Sequence, residues 1–415
     1  MKCNPWTLGL LSAGLISLPA VTQAEEKPSS VLTALSATTL SGYVDTSAEW
    51  NPGTGNAHVP GYAWNAPSKA DGFNLNVVEL NLEKPVDAAD NWGAGYKVSL
   101  LAGPDASAFN TLSQTALAAG AVNSADFAVK QAYVALHAPV GNGLDFKIGT
   151  WDTLIGYEVF ESINNPNVTR SYGYTMEPTT HTGVQATYQF CSTVSATAAV
   201  ADTFGPNINT RAAKPGRTES DKTYMAAVTF TAPTNWGVLN GSTLTACIIN
   251  GYNNAIGADQ TSFYVGATVS TPVTGLKVGA CYDYAGISTQ PSGVAGGGNI
   301  GSAYANAFGL YASFQATEKL SIYGRAEYAT TDVAGLFGGS VNETTKTPLI
   351  AAGYIETTAT LQYDLWKNVL SRLELRWDHS EHGDAFGGII GGGAAAAAPA
   401  RDNYFTLLAS VAYKF

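Results

Sequence analysis

The chain reads as a succession of alternating segments. In 402–415, Phe405, Leu407, Ala409, Val411, Tyr413 and Phe415 fall on one face, and Tyr404, Thr406, Leu408, Ser410, Ala412 and Lys414 on the other. Successive side chains of a strand point to opposite sides, so a period of two predicts a β-strand lying between two unlike environments. The pattern recurs upstream. Leu320, Ile322, Ala326 and Tyr328 alternate with Lys319, Ser321, Arg325 and Glu327. Ile355, Ala359, Leu361 and Tyr363 alternate with Glu356, Thr358, Thr360 and Gln362, and Val369, Leu373, Leu375 and Trp377 with Arg372, Glu374, Arg376 and Asp378. Leu144, Phe146 and Ile148 oppose Asp145, Lys147 and Gly149. Read this way, the chain predicts about sixteen strands, at 39–50, 73–84, 92–102, 126–138, 143–151, 181–190, 192–201, 222–232, 241–251, 261–271, 275–285, 303–316, 319–329, 353–364, 367–379 and 402–415.

Alternation alone does not separate a soluble sandwich from a membrane barrel. The connections do. The gaps 51–72, 103–125, 152–180, 202–221, 252–260, 286–302, 330–352 and 380–401 are long. Those between them, 85–91, 139–142, 191, 272–274, 317–318 and 365–366, are short, and 233–240 is a medium turn where a short one is expected. An up-and-down barrel in an outer membrane has short turns at its periplasmic end and long loops outside. The expected fold class is therefore all-β: a transmembrane antiparallel β-barrel over 39–415. Barrels of this size leave an aqueous channel, whereas eight-stranded ones are filled by side chains.

Composition strengthens this reading. Only 13% of residues are charged, against 45% hydrophobic and 11% aromatic. Soluble domains carry about 25% charge, whereas a lipid-facing band needs none. Residues 1–24 have the form of a signal peptide: Lys2, an apolar stretch from Leu8 to Leu18, then small residues before Glu25. The segment 25–38 is expected to be a short periplasmic lead-in. No run reaches the roughly 18–20 apolar residues of a membrane helix. A net charge of −11 argues against a nucleic-acid partner, whose phosphates need a basic surface.

No chemical motif survives its context, and neither a catalytic residue, a metal nor a cofactor is expected. Gly296–Gly301 fits G-x-G-x-x-G, but it lies between strands, whereas a dinucleotide site needs a strand before it and a helix after it. His379, His382, Glu381 and Asp384 begin a long loop and read as solvated loop groups rather than a zinc site. Gly296–Gly301 and Gly391–Pro399 are flexible surface segments by composition. Cys191, Cys247 and Cys281 have no metal spacing and are odd in number, so small apolar filling is expected instead of a disulfide framework.

The segment 152–180 carries the most information. It mixes tyrosines and apolar residues with Asp152, Glu158, Glu161, Arg170 and Glu177, which suits a loop packed against a surface. One such surface is the lumen wall, expected to present Lys97, Lys130, Lys147, Arg325, Arg372 and Arg376. Asp152, Glu158 and Glu161 on an in-folded loop would then face Lys130, Lys147 and Arg325 across a constriction, since opposed charge is how pores select ions. In the alternative reading these carboxylates are solvated and the wall charges pair along the sheet.

The opening strand Leu40–Asp45 with Trp50-Asn51-Pro52-Gly53, and the runs Asp126–Val134 and Gly149–Glu158, resemble the OmpL-like β-barrel porins, most closely over about 40–190. A wider similarity is to the general diffusion porins, trimers of sixteen-stranded barrels whose loop after the fifth strand folds into the pore. The resemblance implies an outer-membrane location, outer-membrane lipid and the barrel-assembly machinery as partners, small hydrophilic solutes as cargo, and a homotrimer. Tyr413 and Phe415 are expected to form the C-terminal assembly signal. The rivals are a non-conducting structural or adhesive barrel and an outer-membrane enzyme, the latter lacking any evident activated nucleophile.

Overall fold

Sixteen strands pair antiparallel in chain order and close on themselves into a barrel. The computed structural model describes residues 37–415 apart from 54, 87–90, 110–125, 215, 289–301, 333–335, 338–351 and 390–398. The strands are β1 (Thr39–Trp50), β2 (Gly72–Lys84), β3 (Gly93–Ala102), β4 (Phe127–Ala138), β5 (Leu144–Asp152), β6 (Thr180–Cys191), β7 (Val194–Ala201) and β8 (Thr223–Thr231). They continue as β9 (Thr243–Asn253), β10 (Ala258–Ser270), β11 (Leu276–Ile287), β12 (Ala303–Gln315), β13 (Leu320–Thr331), β14 (Ala352–Trp366), β15 (Val369–Ser380) and β16 (Asn403–Lys414). The signal-peptide segment, the lead-in up to 36, the glycine motif at 296–301 and most of 391–399 lie outside the described residues.

The burial pattern is inverted relative to a soluble protein. Leu373, Leu375, Val411 and Tyr413 are exposed on the outside, while Arg372, Glu374, Arg376 and Thr406 on the same two strands are buried inside. The outer face suits lipid, where only a closed sheet satisfies every strand's backbone groups. The seam joins β1 to β16, with Tyr43 opposite Lys414 and Trp50 opposite Leu407. At its lower end Gly42 and Phe415 exchange both backbone hydrogen bonds, each 3.0 Å. A side chain at Gly42 would run into the Phe415 ring and the backbone oxygen of Glu79, so this crossing requires glycine.

Two connections depart from the expected alternation, and both flank β9. The gap expected at 252–260 is a tight turn: β9 and β10 run on until Asn253 pairs with Ala258. Gly257, at φ 66°, donates to Asn253 O at 2.8 Å. Asn253 and Gln260 side chains also bond at 2.8 Å. Here each face mixes polar with apolar residues, Asp259 with Tyr252 and Asn253 with Ala258, so pairing continues where the hydrophobic alternation that marks a strand has ended. On the opposite rim, 232–242 is longer than its neighbours and holds a 3-10 segment at Thr234–Leu239.

Candidate functional site

The connection between β5 and β6 turns inward and is anchored to much of the barrel wall. It contains a 3-10 turn at Ser162–Asn164 and one short helix, α1 (Tyr172–Met176). Ser171 caps that helix, its hydroxyl accepting from the Tyr174 amide at 3.0 Å. The first stretch is held by apolar contacts: Leu154 and Ile155 pack with Ala199, Ala201, Met225 and Ile249 on β7–β9. Tyr157 stacks on Tyr311 of β12 at 4.0 Å and receives a hydrogen bond from Thr268 of β10 at 3.0 Å. Gly279 on β11 leaves room for the Tyr157 ring, which a side chain there would overlap.

Charged contacts hold the rest of the loop, in two groups. In the first, Lys130 donates to Asp152 at 2.8 Å and to Glu161 at 2.6 Å, and Gln131 donates to Asp152 at 2.8 Å. Lys130 also lies 5.5 Å from the Phe160 ring centre. In the second, Arg325 donates to Glu158 at 2.8 Å, to Glu356 at 3.1 Å and to Thr169 O at 2.8 Å. Arg376 donates to Asp378 at 2.7 Å and sits 3.8 Å over the Tyr62 ring, which comes from the 51–71 loop. Their side chains are sealed from solvent: 0% exposed at Arg325, Glu356, Arg376 and Asp378, and 1% at Glu158. The first group is more open, with the Asp152 side chain 39% exposed.

Wall carboxylates also grip the loop backbone directly. Glu374 accepts from the Val168 and Thr169 amides at 2.5 and 2.9 Å. Glu327 accepts from Tyr172 and Gly173 at 2.7 and 3.0 Å, and within the loop itself Glu158 accepts from Ser171 at 2.9 Å. Tyr172 donates its hydroxyl to Asp378 at 2.8 Å, Arg372 donates to Ser162 O at 2.8 Å, and Ser162 bonds to Asp45. Desolvating an ion costs several kcal/mol, which a buried pair recovers only when its remaining hydrogen-bonding sites are also filled. Here amides and hydroxyls fill most of them, while Asp152 Oδ1 and Arg372 Nε are left without a partner among the described residues.

The loop carboxyls respond in opposite ways. Burial alone would raise Glu161, but the Lys130 ammonium and its hydrogen bond override this and hold the group below the usual carboxylate range. Burial pushes Glu177 well above that range, and Asp283 beside it adds to the shift by repulsion and by sharing a hydrogen bond with the protonated form.

Of the residues singled out from the sequence, Lys130, Asp152 and Glu161 meet in one group, and Glu158 and Arg325 in the other. The charges touch; they do not form two rows separated by water. Lys147 belongs to neither group: its ammonium lies 5.0 Å over the Tyr133 ring. Lys97 pairs with Glu83 at 3.7 Å on the neighbouring strand. Tyr413 and Phe415 face outward, half exposed. His379 stacks on Trp377, and among the described residues no three metal-ligating side chains converge. Cys247 and Cys281 fill the apolar cluster under the loop, whereas Cys191 is exposed, contrary to its expected filling role; all three are free thiols.

In the sequence, Glu327, Glu356, Glu374 and Asp378 stand out only as the polar faces of their strands. Their signal was density: β13–β15 present Arg325, Glu327, Glu356, Arg372, Glu374, Arg376 and Asp378 inward, more carboxylates than adjacent bases can pair, which calls for donors from elsewhere in the chain.

Comparison with known proteins places this geometry. The family model described as "Putative beta-barrel porin-2, OmpL-like" matches residues 37–415. The search of curated proteins found no match. Among solved structures, an anion-selective porin from Comamonas acidovorans is similar at 14% identity and TM-score 0.55, covering 91% of this chain and 99% of that one. The outer-membrane channel DcaP of Acinetobacter baumannii is similar at 14% identity and TM-score 0.53, over 91% and 97%. OmpT of Vibrio cholerae in its trimer form is similar at 13% identity and TM-score 0.53, over 91% and 99%.

Proposed function

The chain belongs to the OmpL-like family of β-barrel porins, and from that premise we propose that it passes small hydrophilic solutes and ions by passive diffusion, with 153–179 as its constriction. The porin sits in the outer membrane, and its family and fold are those of a non-enzymatic channel. The observation that carries the proposal is the double anchoring of the loop, by Lys130 of β4 to Glu161 and by Arg325 of β13 to Glu158. A segment tied at charged points to β4 and β13 narrows the lumen to a fixed aperture. Cleavage before Glu25, insertion guided by Tyr413 and Phe415, and assembly as a homotrimer belong to the same proposal. Asp152 and Glu161 would line the water-facing edge of the aperture with Lys130 buried behind them, Lys147 would stand apart on the wall beside Tyr133, and Glu158 and Arg325 would hold the loop in place.

The deciding experiment is single-channel recording of the purified protein in planar bilayers. Stable current steps are expected. A folded, inserted barrel that passes no current would overturn the proposal in favour of a structural or adhesive barrel. Removing Tyr413–Phe415 should impair insertion, and unimpaired insertion would refute that role.

A further inference from the structure

The wall of the barrel is divided electrically. From β6 through β10 the strands contain only two ionisable side chains of the acidic or basic kind, His181 near the start of β6 and Asp259 near the start of β10, both at the outer end. His181 is fully buried, its ring nitrogen 3.0 Å from the hydroxyl of Thr153 on the loop. Toward the periplasmic end, this sector carries hydroxyls on its inner face. Thr187 pairs with Thr197 and their hydroxyls bond at 2.9 Å; Thr229 pairs with Thr245 at 3.0 Å. Thr187, Thr197 and Thr245 are half-buried and lie below the level at which Leu154 and Ile155 cover Ala199, Ala201 and Ile249.

The charged sectors, in contrast, are largely spent on the protein itself, with Lys147 over the Tyr133 ring as the exception. Lys130, Arg325 and Arg376 each contact carboxylates, and Arg372 is taken up by loop carbonyls. Paired charges in contact produce a weak field at a distance, because each cancels most of the other. A hydroxyl both donates and accepts, so a ladder of them can exchange hydrogen bonds with a solute bearing the same groups at little net cost.

We infer that solutes leave the constriction along the hydroxyl-lined sector of β6–β10, and that the pore therefore favours uncharged, hydroxyl-rich solutes and discriminates weakly between cations and anions. The inference rests on the proposed channel function and specifies its cargo. Two recordings test it. Under a KCl gradient the reversal potential should lie near zero, and liposomes holding the protein should admit a neutral sugar at least as fast as a charged solute of equal size. Thr197→Glu and Thr197→Lys should then move the reversal potential in opposite directions, because each places one unpaired charge on the path. A wild-type potential far from zero, faster entry of the charged solute, or no shift in either variant would overturn the inference while leaving a working channel. The absence of any current would instead overturn the channel itself. Thr245→Glu and Thr245→Lys repeat the test if the Thr197 variants do not fold.

Discussion

Arg325 shows how a single side chain can serve both fold and function here. It is sealed between Glu158 on the loop and Glu356 on the wall. Truncating it leaves two buried carboxylates facing each other, and breaking a buried pair costs about 3–5 kcal/mol. Arg325→Ala should lower stability by that order in denaturant unfolding from detergent micelles. Glu177 supplies a pH signature. A carboxyl whose folded-state pKa lies above its unfolded value binds more protons folded than unfolded, so stability falls as pH rises from the ordinary carboxylate range toward the raised value. Glu161 behaves in the opposite sense: its contribution is present above the ordinary range and is lost as pH falls through its depressed pKa. Thermal unfolding should therefore show a stability loss as pH rises above the ordinary carboxylate range that Glu177→Gln diminishes; an unchanged loss in that variant would refute the assignment. The charged residues themselves are legible in the sequence because alternation fixes which side chains point inward. Alternation cannot pair them, since the partner of Glu158 lies 167 positions away and only the bending of the loop brings the two together.

At the scale of elements, strands were legible wherever they separate lipid from water, because that contrast writes a period of two into the residues. Above the membrane the contrast disappears, which is why the ends of β9 and β10 at Tyr252–Asn253 and Ala258–Asp259 read as loop although they pair. Helix α1 left a weaker trace: five residues are too few for a helical period, and the Ser171 cap was its only local mark. The long periplasmic turn 232–242 contains no charged residue and exposes Trp236, Val238 and Leu239, with the Trp236 ring 5.6 Å from that of Phe230. Trp92 and Trp366, at other periplasmic ends, are likewise exposed. Tryptophan favours the boundary between headgroups and acyl chains. Brominated lipid should therefore quench less of the total tryptophan emission in Trp236→Phe than in the wild type; equal quenching would place this turn in water. At the seam, Gly42→Val should hinder closure, since the added atoms meet both the Phe415 ring and the strand backbone. Heat-modifiable mobility on gels, a signature of closed barrels, would be reduced or lost.

The whole molecule consists of a ring with an internal brace. The loop touches β1 through Asp45, β4 through Lys130, β13 through Arg325 and β15 through Glu374, while its apolar beginning rests on β7–β9. Replacing 157–175 by a short flexible linker should raise single-channel conductance if this brace sets the aperture, and unchanged conductance would place the resistance elsewhere. The circular order of the strands bears on how the molecule comes into being. Every pairing of strands joins neighbours in the chain except β1 with β16, whose contact between Asp45 and Ser410 spans 365 positions. Fifteen junctions can therefore form by local zippering, while the remaining one waits on a search through a very large loop, and pairings of that kind are slow. Until it forms, the nascent sheet has two raw edges, each a template for the wrong partner. The dangerous interval in the life of this porin is thus the time before its first and last strands meet.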